Sequence, residues 1–215
     1  MARGLFVTYE GIEGAGKSTQ IGVVASRLRA RGLTPLVTRE PGGTPLGEAL
    51  RELLLERRGD RVDPLVEALL MVADRADHVG RVLRPALAAG RVVLCDRHAD
   101  ATLAYQGAGS GLSLDLLGHL NRLATGGLAP DLTVFLDLAP ERAAERLAAR
   151  GQRVPDRFES EPVAFFERVR GCYLDLAAAE PGRWLVLAAG RPAEELAGAV
   201  EDEIRRRLPP DLQRT

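Results

Sequence analysis

Apolar positions along this chain follow two rhythms. Short apolar runs at 5–9, 33–38, 92–95, 132–138 and 184–187 are too brief for helices and predict five β-strands. The run at 132–138 is apolar almost throughout, as a strand covered on both faces should be. Between the runs, apolar residues recur three and four apart, which predicts helices over 20–28, 46–56, 64–89, 113–125, 139–150, a stretch ending near 179, and 193–208. Pro64 suits a first helical turn and Gly90 a last one. The segment 57–60 breaks the pattern, 99–111 reads as a glycine-punctuated loop or short helix, and 151–161 is a polar, arginine-bearing excursion. Strands alternating with helices imply an α/β fold with a doubly wound parallel sheet.

The first strand and first helix are joined by Gly11-Ile12-Glu13-Gly14-Ala15-Gly16-Lys17-Ser18, followed by Thr19. Strand, G-x-x-x-x-G-K-[ST] and helix in that order make a phosphate-cradling loop. Glycines let backbone N–H groups curl around an anion, and the helix N-terminus adds partial positive charge. Lys17 is placed to reach the β/γ-phosphates and Ser18 to hold Mg²⁺. The chain therefore binds a nucleoside triphosphate. Lys17 is also its single lysine among 29 cationic residues, the rest being arginine, so a compact ammonium stands at the phosphate cradle alone.

A length of 215 residues suits one domain. The net charge of −1 argues against a general nucleic-acid or membrane-surface binder, so basic residues matter by position. Cys95 and Cys172 are far apart and the histidines show no metal spacing, which predicts free thiols in a reducing cytosol. The N-terminus carries no signal-peptide pattern, and no apolar run approaches a membrane span.

Further stretches narrow the reading: Thr38-Arg39-Glu40-Pro41-Gly42-Gly43-Thr44, the helix bearing Arg75, Asp96-Arg97-His98, Ala104-Tyr105-Gln106-Gly107, Pro130-Asp131-Leu132 and the arginines of 146–157. In this order they resemble the bacterial thymidylate kinases of the P-loop nucleoside-monophosphate kinase superfamily, over essentially the whole chain. The resemblance implies a five-stranded sheet in one domain (1–215) with a short arginine-bearing lid at about 146–161. It also implies a homodimer, with Mg²⁺ and ATP as donor and dTMP as acceptor, giving dTDP on the route to dTTP; the free thiols add a cytoplasmic location.

The residues can be read physically beside that resemblance. A phosphate acceptor is largely ionised at neutral pH, its second pKa being about 6, so it needs no strong general base. It does need charge cancelled between two polyanions held in line, for which bidentate arginine is suited. Arg97, just past a strand end, is placed to clamp the acceptor phosphate. Asp96 resembles the acidic end of a Walker-B-type strand, arranging a Mg²⁺-bound water or orienting Arg97. The resemblance assigns Glu13 to the acceptor side, near the sugar 3′-hydroxyl or a metal-bound water. Gly14 stands where some relatives carry arginine, so the cation for the transferring group is expected from Arg146, Arg150, Arg153 or Arg157, with Arg157 favoured.

For the base, Arg75 resembles the arginine that donates to the thymine carbonyl, and Met71, four residues earlier on the same helix face, stands where an aromatic is usual. Ala101 replaces a common serine, leaving Thr102 and Gln106 as polar partners. Tyr105 fits the tyrosine that crowds out a 2′-hydroxyl, and Arg39 and Pro41 border the sugar and phosphate. Met71 and Ala101 are the features that feed an alternative, a kinase of the same fold for another nucleoside monophosphate. A nucleotide-dependent switch would need an N/T-K-x-D loop for guanine, which a chain with one lysine cannot contain.

Overall fold

The computed structural model describes residues 3–55, 62–149 and 157–208. Five strands, β1 (Phe6–Glu10), β2 (Leu36–Arg39), β3 (Val93–Asp96), β4 (Leu132–Asp137) and β5 (Trp184–Ala188), form one parallel sheet in the order β2-β3-β1-β4-β5. β1 is fully buried between β3 and β4, and the pleat sends its side chains alternately to two cores. Val7 and Tyr9 join the larger core with Leu94, Val134 and Leu136, while Phe6 joins Val93 and Cys95 in a smaller one on the other face.

Helices cover both faces: α1 (Lys17–Ala30), α2 (Pro45–Leu55), α3 (Pro64–His78), α4 (Arg84–Ala88), α5 (Ala99–Thr102), α6 (Leu114–Thr125), α7 (Pro140–Ala149), α8 (Val163–Ala179) and α9 (Ala193–Arg207). α3 begins as expected, with Pro64 in its first turn and the Asp63 side chain accepting from Leu65 N at 2.8 Å. The doubly wound parallel sheet is as the sequence predicts; several element bounds shift for local reasons.

β2 starts at Leu36 instead of 33, because Pro35 lacks an N–H and the first ladder bond is Leu36 N to Val92 O. The single helix expected over 64–89 runs as α3, a π-helical turn at Val79–Leu83, and α4. Pro85 cannot supply the bond to the carbonyl of Arg81, and its ring would press on that group; the wider turn relieves both. The uncertain stretch 99–111 is helical: α5 continues into a π-helical segment, Leu103–Gly109. Gly109 lets it lie against α8, since a Cβ there would sit 2.5 Å from the Phe165 ring. The break at 57–60, the end of the second helix at Glu56 and the middle of the expected lid, including Arg150 and Arg153, lie outside the described residues.

The parallel register aligns the C-terminal ends of β1, β2 and β3: Tyr9 faces Asp96, and Arg39 faces Asp96 from the other side. The loops after these strands therefore converge on one sheet edge, where such folds bind ligands.

Candidate active site

The loop after β1 closes tightly. Gly11, at φ 139°, passes so near the Leu136 carbonyl that a Cβ would stand 2.7 Å from its oxygen. Ile12 and Ala15 turn their side chains into the core, so what they can offer a phosphate is backbone. The space in front of Gly16 is open, and α1 starts there without a side-chain cap, leaving its first N–H groups facing the cavity. Lys17 Nζ donates to the carbonyls of Gly11 (2.9 Å) and Ile12 (3.1 Å). Burial, aided by the charge of Arg97, lowers its pKa to about 8. Ser18 Oγ donates to Asp96 Oδ2 at 3.0 Å, so the two groups expected around a metal are in contact. Arg146 on α7 also reaches this loop, donating to the carbonyls of Gly14 (3.4 Å) and Ala189 (2.8 Å).

Arg97 follows β3 in the left-handed region at φ 69°, where a non-glycine residue costs on the order of 1 kcal/mol and is held only by its surroundings. Those surroundings are explicit. Its Nη2 donates to Glu13 Oε1 (2.7 Å) and Tyr105 Oη (2.9 Å), its Nη1 to Tyr173 Oη (3.3 Å), and its guanidinium stands 4.5 Å above the Tyr105 ring. Tyr105 and Tyr173 in turn donate to Glu13 Oε2 and Glu10 Oε2, each at 2.7 Å. Glu10 is wholly buried, and burial, with the charge of Asp100 next, raises its pKa to about 7.

Glu40 anchors the other side. Its Oε2 accepts from Arg75 Nε (2.8 Å), and its Oε1 from Nδ1 of both His78 and His98 (2.9 Å each). A carboxylate only accepts, so both imidazoles carry hydrogen on Nδ1. Burial would raise the Glu40 pKa, but the pull of His98 and Arg75 and the imidazole hydrogen bonds outweigh it and hold it well below the usual range. Arg75 is almost wholly buried. It also donates through Nη1 to Thr102 Oγ1 (3.0 Å) and Asn121 Oδ1 (2.7 Å), and through Nη2 to the His98 carbonyl (3.1 Å). Four of its five donors thus serve the protein, leaving one for the cavity it borders.

These parts line one cavity of about 320 Å³ that runs from Lys17, Ser18 and Thr19 past Asp96 and Arg97 to Met71, Arg75, Thr102, Tyr105 and Gln106. Glu13, Arg39 and Pro41 border it as well. Of the lid arginines, Arg146 and Arg157 lie among the described residues; Arg146 touches the phosphate loop, whereas the contacts of Arg157 are with α3 and its own neighbour. Arg157 Nη2 pairs with the buried Glu67 of α3, and its guanidinium lies 5.2 Å from the ring of Phe158, which itself packs edge-on against Tyr105.

Sequence reasoning quoted Glu40 and His98 inside motifs without giving them work, and it passed over Glu10, Arg51, Glu67 and Tyr173. Arg51 lines the cavity and donates to the Pro41 carbonyl at 3.0 Å; Tyr173 comes from α8, 76 positions after Arg97. No local pattern marks either one.

Comparison with known proteins bears on this arrangement. The family model described as thymidylate kinase matches residues 9–200. The chain is 55% identical to a thymidylate kinase of Deinococcus radiodurans over 93% of its own length and 96% of that protein. It is 50% identical to one of Paracidovorax citrulli over 95% and 94%. The crystal structure of thymidylate kinase from Ehrlichia chaffeensis superposes with a TM-score of 0.75 at 31% identity, covering 94% of this chain and 99% of that one.

Proposed function

We infer the chemistry of this site from one premise, that the chain belongs to the thymidylate kinase family. The protein is a kinase that transfers the γ-phosphoryl group of ATP to dTMP, giving dTDP. The observation that carries this reading onto particular residues is the single cavity joining the phosphate loop to the pocket around Arg97 and Arg75.

In this reading the backbone of 11–19 and the Lys17 ammonium hold the donor phosphates, with Arg146 beside them. Arg97 clamps the acceptor phosphate. Its charge is already aimed by Glu13, Tyr105 and Tyr173, so little reorganisation accompanies transfer. Arg39, Arg51 and Pro41 flank the sugar and phosphate, and Tyr105 guards the 2′ position. Met71, Arg75, Thr102 and Gln106 receive the base. Arg157, with Arg150 and Arg153, supplies the lid's cations over 146–161, closing the site against water.

Mg²⁺ fits the donor set. Ser18 and Asp96 present hard oxygens in contact, and a metal that binds through one or two protein oxygens plus substrate phosphates needs no larger cluster. Among the described residues no group of three acidic, His or Cys ligands occurs, which suits such a light protein share. When bound, the ion would neutralise charge on the donor phosphates, with Ser18 as its direct ligand and Asp96 and Glu13 acting through water. Glu13 is the less available of the two, being already engaged by Arg97 and Tyr105.

The protein works as one catalytic unit, as a homodimer, in the cytoplasm. Among the described residues, eight of the twelve large apolar side chains left exposed lie on α2, α3 and α6, three neighbouring helices, which supports a self-association face. Two buried free cysteines support a reducing compartment. Turnover of dTMP compared with dUMP, dCMP, AMP and GMP in a coupled assay tests the reading. We expect dTMP to lead, and a preference for any other acceptor would overturn it.

A further inference from the structure

We propose that Glu67 is a positioning residue that sets the pyrimidine specificity of the site by fixing which end of the Gln106 amide faces the cavity. The inference rests on the acceptor reading of the cavity given above.

Glu67 on α3 and Gln106 in the π-helical segment are both almost fully buried, and Gln106 Nε2 donates to Glu67 Oε1. The other carboxylate oxygen, Oε2, accepts from Arg157, whose guanidinium compensates the burial of the charge. A carboxylate offers lone pairs and no hydrogen, so the amide cannot turn round without setting oxygen against oxygen. With the nitrogen end of the amide held against Glu67, the end left to face the cavity that Gln106 lines is its carbonyl oxygen, an acceptor.

The neighbouring polar groups make that oxygen matter. Arg75 is donor-only, and Thr102 Oγ1 already receives Arg75 Nη1. Thymine and uracil carry a carbonyl at position 4 and a hydrogen on N3. Cytosine carries an amino group at 4 and a lone pair on N3. A wall whose donors are Arg75 and the hydroxyl hydrogen of Thr102, and whose acceptor is Gln106, complements the first pattern and opposes the second. Glutamine by itself is ambiguous, since either end of its amide can face a ligand. The buried carboxylate behind it removes the ambiguity.

The test is the ratio of kcat/KM for dTMP to kcat/KM for dCMP. In Glu67→Gln two amides can pair either way round, so Gln106 can offer its NH₂ group to the cavity, and the ratio should fall roughly tenfold or more. A structural role alone would lower both substrates by the same factor; an unchanged ratio in a folded Glu67→Gln protein overturns the proposal. Gln106→Met supplies a second measurement that leaves the Glu67–Arg157 pair intact. It should lower the ratio too, and adding Glu67→Gln to it should lower the ratio no further. An unchanged ratio in Gln106→Met, or an additive fall in the double variant, would also overturn it. Failure of the wild-type enzyme to turn over dTMP is a different result, which removes the acceptor reading itself.

Discussion

At the scale of single residues, burial has changed the chemistry of two groups that the sequence presents as ordinary. Lys17, with a pKa near 8, is partly deprotonated in the nucleotide-free protein just above neutrality. Polyphosphate favours the ammonium, so ATP binding should take up a proton between about pH 8 and 10, and affinity should weaken as pH rises through that range. Calorimetry in buffers of different ionisation enthalpy measures the uptake. Lys17→Ala should abolish it and lose most activity, and turnover within threefold of wild type would reject the loop assignment. Glu10 carries the opposite lesson. Its folded pKa of about 7 exceeds the ordinary 4.5, so between those values the folded chain keeps a proton that the unfolded chain releases. Its contribution to stability is full below pH 4.5 and declines as pH climbs to about 7. Glu10→Gln should flatten that decline, read as the difference between wild-type and variant denaturant midpoints across the window. Glu40, held low, acts in the other direction, and its contribution is lost as pH falls below 4.5.

At the scale of elements, the site depends on turns pressed against helices. Gly43 has φ 78°, and a Cβ there would stand 2.6 Å from Thr38 Oγ1 and 2.8 Å from the His78 ring. Those two side chains are themselves hydrogen-bonded at 2.7 Å, and His78 continues to Glu40. Gly43→Ala therefore combines backbone strain with a displaced histidine. It should destabilise by about 2 kcal/mol or more, seen as a drop of several degrees in Tm. The glycine and proline of this turn are visible in the sequence, and so is its position after a strand. That it clamps the imidazole of a helix 35 residues away is not, because the pairing spans β2 and α3.

At the scale of the whole molecule, α2, α3 and α6 leave Leu46, Leu53, Leu65, Val66, Leu69, Leu114, Leu116 and Leu123 exposed. If the proposed homodimer forms through this face, Leu69→Asp with Leu116→Asp should lower the mass measured by light scattering from that of two chains toward that of one, and an unchanged mass would reject the face. What the sequence by itself determined is the order of elements and the local chemistry. Backbone hydrogen bonding and side-chain periodicity act over a few residues, and so does the phosphate loop, whose glycines, lysine and serine are contiguous. The parallel sheet followed from strands alternating with helices, and motifs pointed to Arg97, Arg75 and Gln106, which the fold brings to one cavity. Only the tertiary structure decided what each of these groups does with its remaining hydrogen bonds. Arg75 spends most of its fork on Glu40, Thr102, Asn121 and His98; Arg157 faces Glu67; and Arg97 is aimed by a tyrosine from α8. Polar groups taken out of water must find partners within about 3 Å, and in a folded chain those partners are neighbours in space drawn from distant segments, which no local pattern records.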